Sequence, residues 1–360
     1  MKKLNFIIKC GLALLLLSFY SCESWLNVTP SDRLSEEMLF NDREGFVKAL
    51  NGVYIELNTN ELYGRNLTAG ALDVMGQYYS VASSSHAFYN YGGLVYTGND
   101  EKALFDNMWQ KCYAVIACCN TIIEKCDENK AGLSPVWRGS IKGEALALRA
   151  MLHFDMLRLF GPLTSELDKE SIPYQTNSDQ TVTPLLSGSE VVGLILDDLK
   201  NAVGLLKDTD PYFVEEEFSD TDLNYRRFRM NYFAAKGLMA RVQLWGGDKE
   251  KAAATAKEVI AEGQAEGAEF FPFVTNSEAT SSNPDRVFYS EVLFGTYHSS
   301  REKLHEDLFA PTLESTSILT LAGTARRDDL YDNENDYRYS VWSTYNKNGT
   351  SVLYHRKFEK

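Results

Sequence analysis

Positive charge is scarce in this chain. Its 360 residues hold 36 Lys and Arg against 50 Asp and Glu, a formal net charge of −14 at pH 7. A chain this acidic repels phosphate backbones, which excludes nucleic acid as a partner. Cysteine is scarce too, six in all and none in a C-x-x-C pair. There is no H-E-x-x-H, no G-x-S-x-G and no P-loop, so no hydrolytic or nucleotide motif marks the chain as an enzyme. Carboxylates are numerous enough to supply a glycosidase pair, but abundance alone does not bring two of them to one site. No catalytic residue, cofactor or metal is assigned. Long apolar runs are lacking as well. Leu12 to Leu17 is too short to span a bilayer with its flanks. The remainder, 44% hydrophobic and 24% charged, is ordinary for a globular protein and argues against long disorder.

Met1, Lys2 and Lys3 precede that run, and Ser21 follows it just before Cys22. A short positive tip, an apolar block and a small residue before cysteine look like a bacterial lipoprotein signal, with residues 1–21 removed and Cys22 lipidated as the first residue. Phe19 and Tyr20 are bulkier than a strict site of this kind favours; an ordinary secretory signal with an incidental cysteine is the alternative. Cys112, Cys119 and Cys126 repeat every seven residues. Seven residues along a helix is about 10 Å, too far for a disulfide, so they read as buried structural thiols on one face.

The rest alternates helix with irregular chain. Asn41 and Glu44 fit a capping box ahead of Phe46, Ala49, Leu50, Val53, Tyr54 and Leu57, an amphipathic helix over about 42–57. Residues 58–100 lack a period and hold Gly, Ser, Asn and many tyrosines. Helices are expected over 101–127, with Trp109, Tyr113, Ile116, Asn120 and Ile123 as a stripe, and over 136–160, ended by Gly161-Pro162. Residues 163–185 read as loop. Ser189 opens a helix through 206 with Val192, Ile195, Leu196 and Leu199 inward, and 208–227 reads as a charged connector. Residues 229–263 make a helix pair around Gly246-Gly247-Asp248. Ala235, Met239 and Val242 line its first member, and Ala252, Ala256, Val259 and Ile260 its second. The small residues and the Gly-Asp turn resemble one tetratricopeptide unit. From 270 to 360 the pattern weakens, with "RVFYSEVLFGT" at 286–296 a candidate strand.

Four blocks carry a wider resemblance: "WLNVTPSDRLSEEMLFNDREGFVKALNGVYIEL" after Cys22, "MWQKCYAVIACCNTII", "IKGEALALRAMLHFDMLRLFGP" and "AAKGLMARVQLWGGDKEKAAATAKEVI". In this order they resemble the SusD/RagB family of Bacteroidetes surface lipoproteins. The resemblance implies a mainly α fold, with tetratricopeptide-like helix pairs beside an irregular loop-rich region, so that 22–360 forms one domain. It implies a lipid-anchored protein on the outside of the outer membrane. Such a protein captures an oligosaccharide, or a peptide or glycopeptide on the same scaffold, and passes it to a SusC-like TonB-dependent transporter without chemistry. Family members usually continue past a segment like "YHRKFEK" into another helical block, so the C-terminal helical block is expected to be missing here.

Sugar rings pack their C–H faces on aromatic rings, and their hydroxyls need polar partners. Residues 73–99 offer Asp73, Tyr78, Tyr79, Tyr89, Tyr91, Tyr96 and Asn99. The resemblance implies further aromatics from the later half, for which Tyr289, Tyr297 and Trp342 are the candidates. Packing is the alternative role for each ring. His298 and His305 flank Glu302; an exposed polar helix gives such spacing without any metal.

Overall fold

The computed structural model describes residues 36–179, 181–264 and 270–359. Cys22 and the expected signal segment lie outside the described residues. Six long helices carry the first half of the fold: α1 (Arg43–Leu57), α2 (Asn99–Glu128), α3 (Pro135–Phe160), α4 (Gly188–Thr209), α5 (Tyr232–Trp245) and α6 (Lys249–Gly263). Each packs on a neighbour in the chain: α1 and α3 on α2, α4 on α3, α5 on α4 and α6. The architecture is mainly α, as expected. Among the described residues no helix is long and apolar enough to cross a membrane.

Local chemistry sets the boundaries. Asp42, one residue after the expected Asn41, caps α1 by accepting from the Gly45 N–H at 2.8 Å. Ser187, two residues before the expected Ser189, caps α4 in a reciprocal box with Glu190. Ser134 and Pro135 open α3, and Gly247 at φ +92° lets the chain turn between α5 and α6. Glycine also sets how closely helices approach. A Cβ on Gly143 of α3 would stand 2.7 Å from Cγ of Leu206 on α4. The inward face of α4 is Val191, Ile195, Leu199, Ala202 and Leu206; Val192 and Leu196, expected there, are only partly buried. Ile260 points outward, 58% exposed, because the buried stripe of α6 is narrow, made of Ala252, Thr255 and Val259. On α2, Cys112, Cys119 and Cys126 are buried and Cys118 is exposed.

The helical core holds charge as well as apolar side chains. Arg149 of α3 makes a bidentate pair with Asp198 of α4, at 2.7 and 2.7 Å, and Tyr174 donates to the same carboxylate at 2.5 Å. The segment read as a charged connector carries the second network. Arg226, 1% exposed, pairs with Asp210 through Nε at 3.0 Å and Nη2 at 2.7 Å, and also with Glu144 of α3. Arg229 and the Tyr54 hydroxyl complete the shell of Glu144 at 3.1 and 2.7 Å. Burial alone would raise the Glu144 pKa; Arg229 and Arg226 outweigh it and hold the carboxyl below its ordinary value. Charges in a connector are usually solvated, which is why the pattern misleads here.

The expected loop at 163–185 contributes β1 (Glu170–Pro173), which packs on α3 and α4 and pairs antiparallel with β2 (Leu185–Ser187). The other half is built differently. The expected strand at 286–296 does not form. Phe288 sits at φ +51° before a 3-10 turn over Tyr289–Glu291, and among the described residues no neighbouring strand pairs with it. A hairpin forms further on, β3 (Trp342–Lys347) against β4 (Thr350–His355), around Asn348 and Gly349, both at positive φ. Behind it lies a second core that includes Val74, Tyr79, Phe88, Tyr91, Phe309, Trp342 and Phe358. Leu104 of α2 packs against both cores.

Candidate functional site

The tyrosine-rich segment folds into one wall of a cleft of about 530 Å³. A helical turn at Ala71–Met75 ends in Gly76, and Gln77, at φ +60°, reverses the chain. Its Nε2 donates to the carbonyls of Gly92 at 3.0 Å and Val74 at 3.3 Å, tying the two limbs of the segment together. Ser80 then pairs with Thr320 through a 2.6 Å N–H···O bond. That single bridge brings the chain from Leu321 to Arg326 alongside as the opposite wall. Tyr78, Tyr89, Gln77, Ser80, Asn90 and Arg326 are among the lining residues, with Gly92 and Gly93 between them.

The expected residues divide. Tyr89 lines the cleft and is 43% exposed. Tyr78 lines it half-buried, its hydroxyl 2.8 Å from that of Tyr331; burial, then this hydrogen bond, push its pKa up. Tyr96 is exposed with its ring edge-on to Phe105 at 5.4 Å, and Asn99 is the first residue of α2; neither lines the cleft. Tyr79, Tyr91 and Trp342 are 3–4% exposed. Their rings belong to the second core: Tyr79 packs on Phe309 at 5.3 Å, Tyr91 on Phe88 at 5.9 Å, and Trp342 on His355 at 4.4 Å. Although Tyr79 borders the cleft, rings enclosed to this degree have no free face for stacking. Burial is the correction to their expected role.

Tyr289 and Tyr297 are brought together elsewhere. Phe228 lies between them, 5.4 Å from Tyr289 and 5.5 Å from Tyr297, with Tyr225 at 6.2 Å. Asp73 stands behind Tyr78 and Tyr79, outside the lining. Its carboxylate has no hydrogen-bond or ion-pair partner among the described residues. Burial pushes its pKa up to about 6, opposed in part by Lys357. His298 precedes the helix Arg301–Leu308 and bonds the Gly64 carbonyl at 2.8 Å, so the i, i+4 geometry with Glu302 does not arise. Among the described residues no group of three or more His, Cys, Asp or Glu could hold a metal ion.

Gln77, Ser80, Asn90 and Arg326 escaped the sequence reading. The first three are polar residues inside the segment already singled out. Arg326 comes from a stretch more than 200 residues further on, brought here by the Ser80–Thr320 bridge and the Tyr78–Tyr331 contact. Chemically the cleft offers one open aromatic face, a ring of amide and hydroxyl groups, and a guanidinium. That is the equipment for holding a polyhydroxylated ligand.

Comparison with known proteins follows the same line. The SusD-like family model described as "Starch-binding associating with outer membrane" matches residues 24–244, more than half of the chain. A SusD-like protein P2 of Formosa agariphila is 25% identical over 265 residues, 72% of this chain and 46% of that protein. A SusD-like protein of Bacteroides ovatus is 30% identical over 146 residues, 39% of this chain and 23% of that protein. The chain thus spans less than half the length of these curated relatives. Among solved structures, a SusD-like carbohydrate binding protein from Bacteroides vulgatus superposes with a TM-score of 0.67 at 21% identity, covering 89% of this chain and 66% of that one. At that identity the likeness is one of fold.

Proposed function

Because this chain belongs to the SusD-like family, we propose that it is a glycan-capture protein of the outer membrane, lipid-anchored through Cys22, that delivers an oligosaccharide to a SusC-like TonB-dependent transporter. The observation that carries the reading is the cleft itself. The segment expected to bind sugar is the one that lines it, with Tyr89 open to solvent and Gln77, Ser80 and Asn90 around it. Capture requires no chemistry: a sugar face packs on Tyr89, its hydroxyls exchange hydrogen bonds with the polar rim, and the transporter supplies the energy. Family membership supports carbohydrate binding in general terms.

Affinity electrophoresis through gels containing polysaccharides tests it. Purified protein should be retarded by at least one glycan without releasing reducing sugar. Tyr89→Ala should weaken that retardation about three- to tenfold, the value of one aromatic stacking contact. A protein that passes every gel unretarded, or whose retardation is indifferent to Tyr89→Ala, overturns the assignment.

A further inference from the structure

Among the described residues the cleft lining contains a single charged side chain, and it is Arg326. In a chain with net charge −14, a cleft whose only charge is positive runs against the bulk composition. Arg326 lies on the short helix Thr324–Leu330 and is exposed. Arg327 and Asp328 beside it engage each other at 3.1 Å, and Arg327 lies over the Tyr339 ring. Arg326 itself has no hydrogen bond or ion pair among the described residues. Asp329, one helical turn further along, makes no ion pair with it, and neither Asp329 nor Asp73 lines the cleft.

A guanidinium with no carboxylate paired to it is free to meet an anion in the cleft. Neutral hydroxyls can accept from it but cannot offset that charge. An anion with two adjacent oxygens can do both, because the two parallel N–H groups of arginine match the O–C–O edge of a carboxylate or an O–S–O edge of a sulfate. From this geometry we infer that the cleft takes a glycan bearing an anionic substituent, a carboxylate or sulfate on the sugar, and that Arg326 is the residue that selects it. The inference rests on the carbohydrate reading above and narrows it. Tyr89 supplies stacking that is indifferent to charge, Gln77, Ser80 and Asn90 meet hydroxyls, and Arg326 distinguishes an acidic sugar from a neutral one.

The test uses affinity gels containing polygalacturonate, carrageenan or starch, which present a carboxylate, a sulfate and no charge. The chain as a whole repels polyanions, so retention by one of them reports a local site. The unmodified protein should be retarded most by one of the two polyanions, which identifies the substituent, and added NaCl should weaken the retardation. Arg326→Gln should lower that affinity at least tenfold. Arg326→Lys, which keeps the charge but loses the planar fork, should fall between the two. Because Arg326 is exposed, the thermal melts of both variants should match the parent. If starch retards the protein best, and Tyr89→Ala but not Arg326→Gln removes the effect, the anionic preference is overturned and the carbohydrate reading stands. Polyanion retardation untouched in Arg326→Gln also overturns it. No retardation by any gel overturns both.

Discussion

The two halves of this molecule are held together by different forces. The helical half buries aliphatic side chains and satisfies its buried charges in pairs: Arg149 with Asp198, and Arg226 with Asp210 and Glu144. The irregular half buries rings against rings, with Tyr78, Tyr79, Phe309, Trp342, His355 and Phe358 in mutual contact. Regular helices fix their own backbone hydrogen bonds, so their side chains need only pack. Loops lack that support. Aromatic rings, which bury a large area with few rotatable bonds, give an irregular backbone a defined interior. A loop region held this way can present a cleft whose lining varies while the rings behind it stay in place.

The difference predicts unequal damage. Arg226→Met removes the arginine partner of buried Asp210 and one of the two that hold buried Glu144, and should cost about 3–5 kcal/mol. Because Asp210 also caps the start of α5 by accepting from the Tyr232 N–H at 2.8 Å, the loss should be global, seen as a lowered urea midpoint by far-UV circular dichroism. Trp342→Ala should cost about 3 kcal/mol and should stay local. The far-UV helical signal survives, the near-UV signal falls, and the amides of β3 and β4 lose protection from hydrogen exchange. A global collapse from Trp342→Ala would abolish the distinction between the halves.

Acid should strain both halves through buried histidines, one among the helices and, among the rings, His355 more than His86 and His305. Burial drives His153, among the helices, and His355, among the rings, down to about 3. A folded value below the ordinary 6.5 means the stability of each neutral imidazole is fully present above pH 6.5 and is lost as the pH falls toward 3. At about pH 5 the cost is on the order of 2 kcal/mol per residue, and His355→Phe should relieve only the share of the irregular half. Asp73 works in the opposite window. Its folded value, about 6, exceeds the ordinary 3.8, so its contribution is full below pH 3.8 and lost as the pH rises through 6. Asp73→Asn should therefore raise stability by on the order of 1 kcal/mol at about pH 8 and leave it unchanged at about pH 4. A melting temperature that does not move at about pH 8 would mean the carboxylate is compensated in solution.

The two halves were also unequally legible. Helical periodicity located every long helix within a few residues, because a stripe of Phe46, Leu50, Val53 and Leu57 has one reading. Caps were displaced by a residue or two, since Asn41 and Asp42 are chemically alike and only geometry chooses between them. In the irregular half no period tells an inward tyrosine from an outward one. Tyr89 and Tyr91 are two residues apart on one helical turn, and one is open while the other is enclosed. The Asn348-Gly349 turn was a readable hairpin signal that the weak surrounding pattern obscured. Arg326 was beyond reach of any local argument, because its place depends on a contact between segments some 240 residues apart, the Ser80–Thr320 bridge.

The cysteines of α2 have a practical consequence. All four described thiols sit in the helical half, and burial raises the pKa of Cys112, Cys119 and Cys126, that of Cys126 to about 12. Three are sealed against α1 and α3, so an alkylating reagent can reach them only when those helices part. One, Cys118, stands at the surface as an internal reference. The rate at which the sealed three take up reagent is thus a clock for the breathing of the helical scaffold alone, and it can be run while the aromatic half is occupied, emptied or mutated.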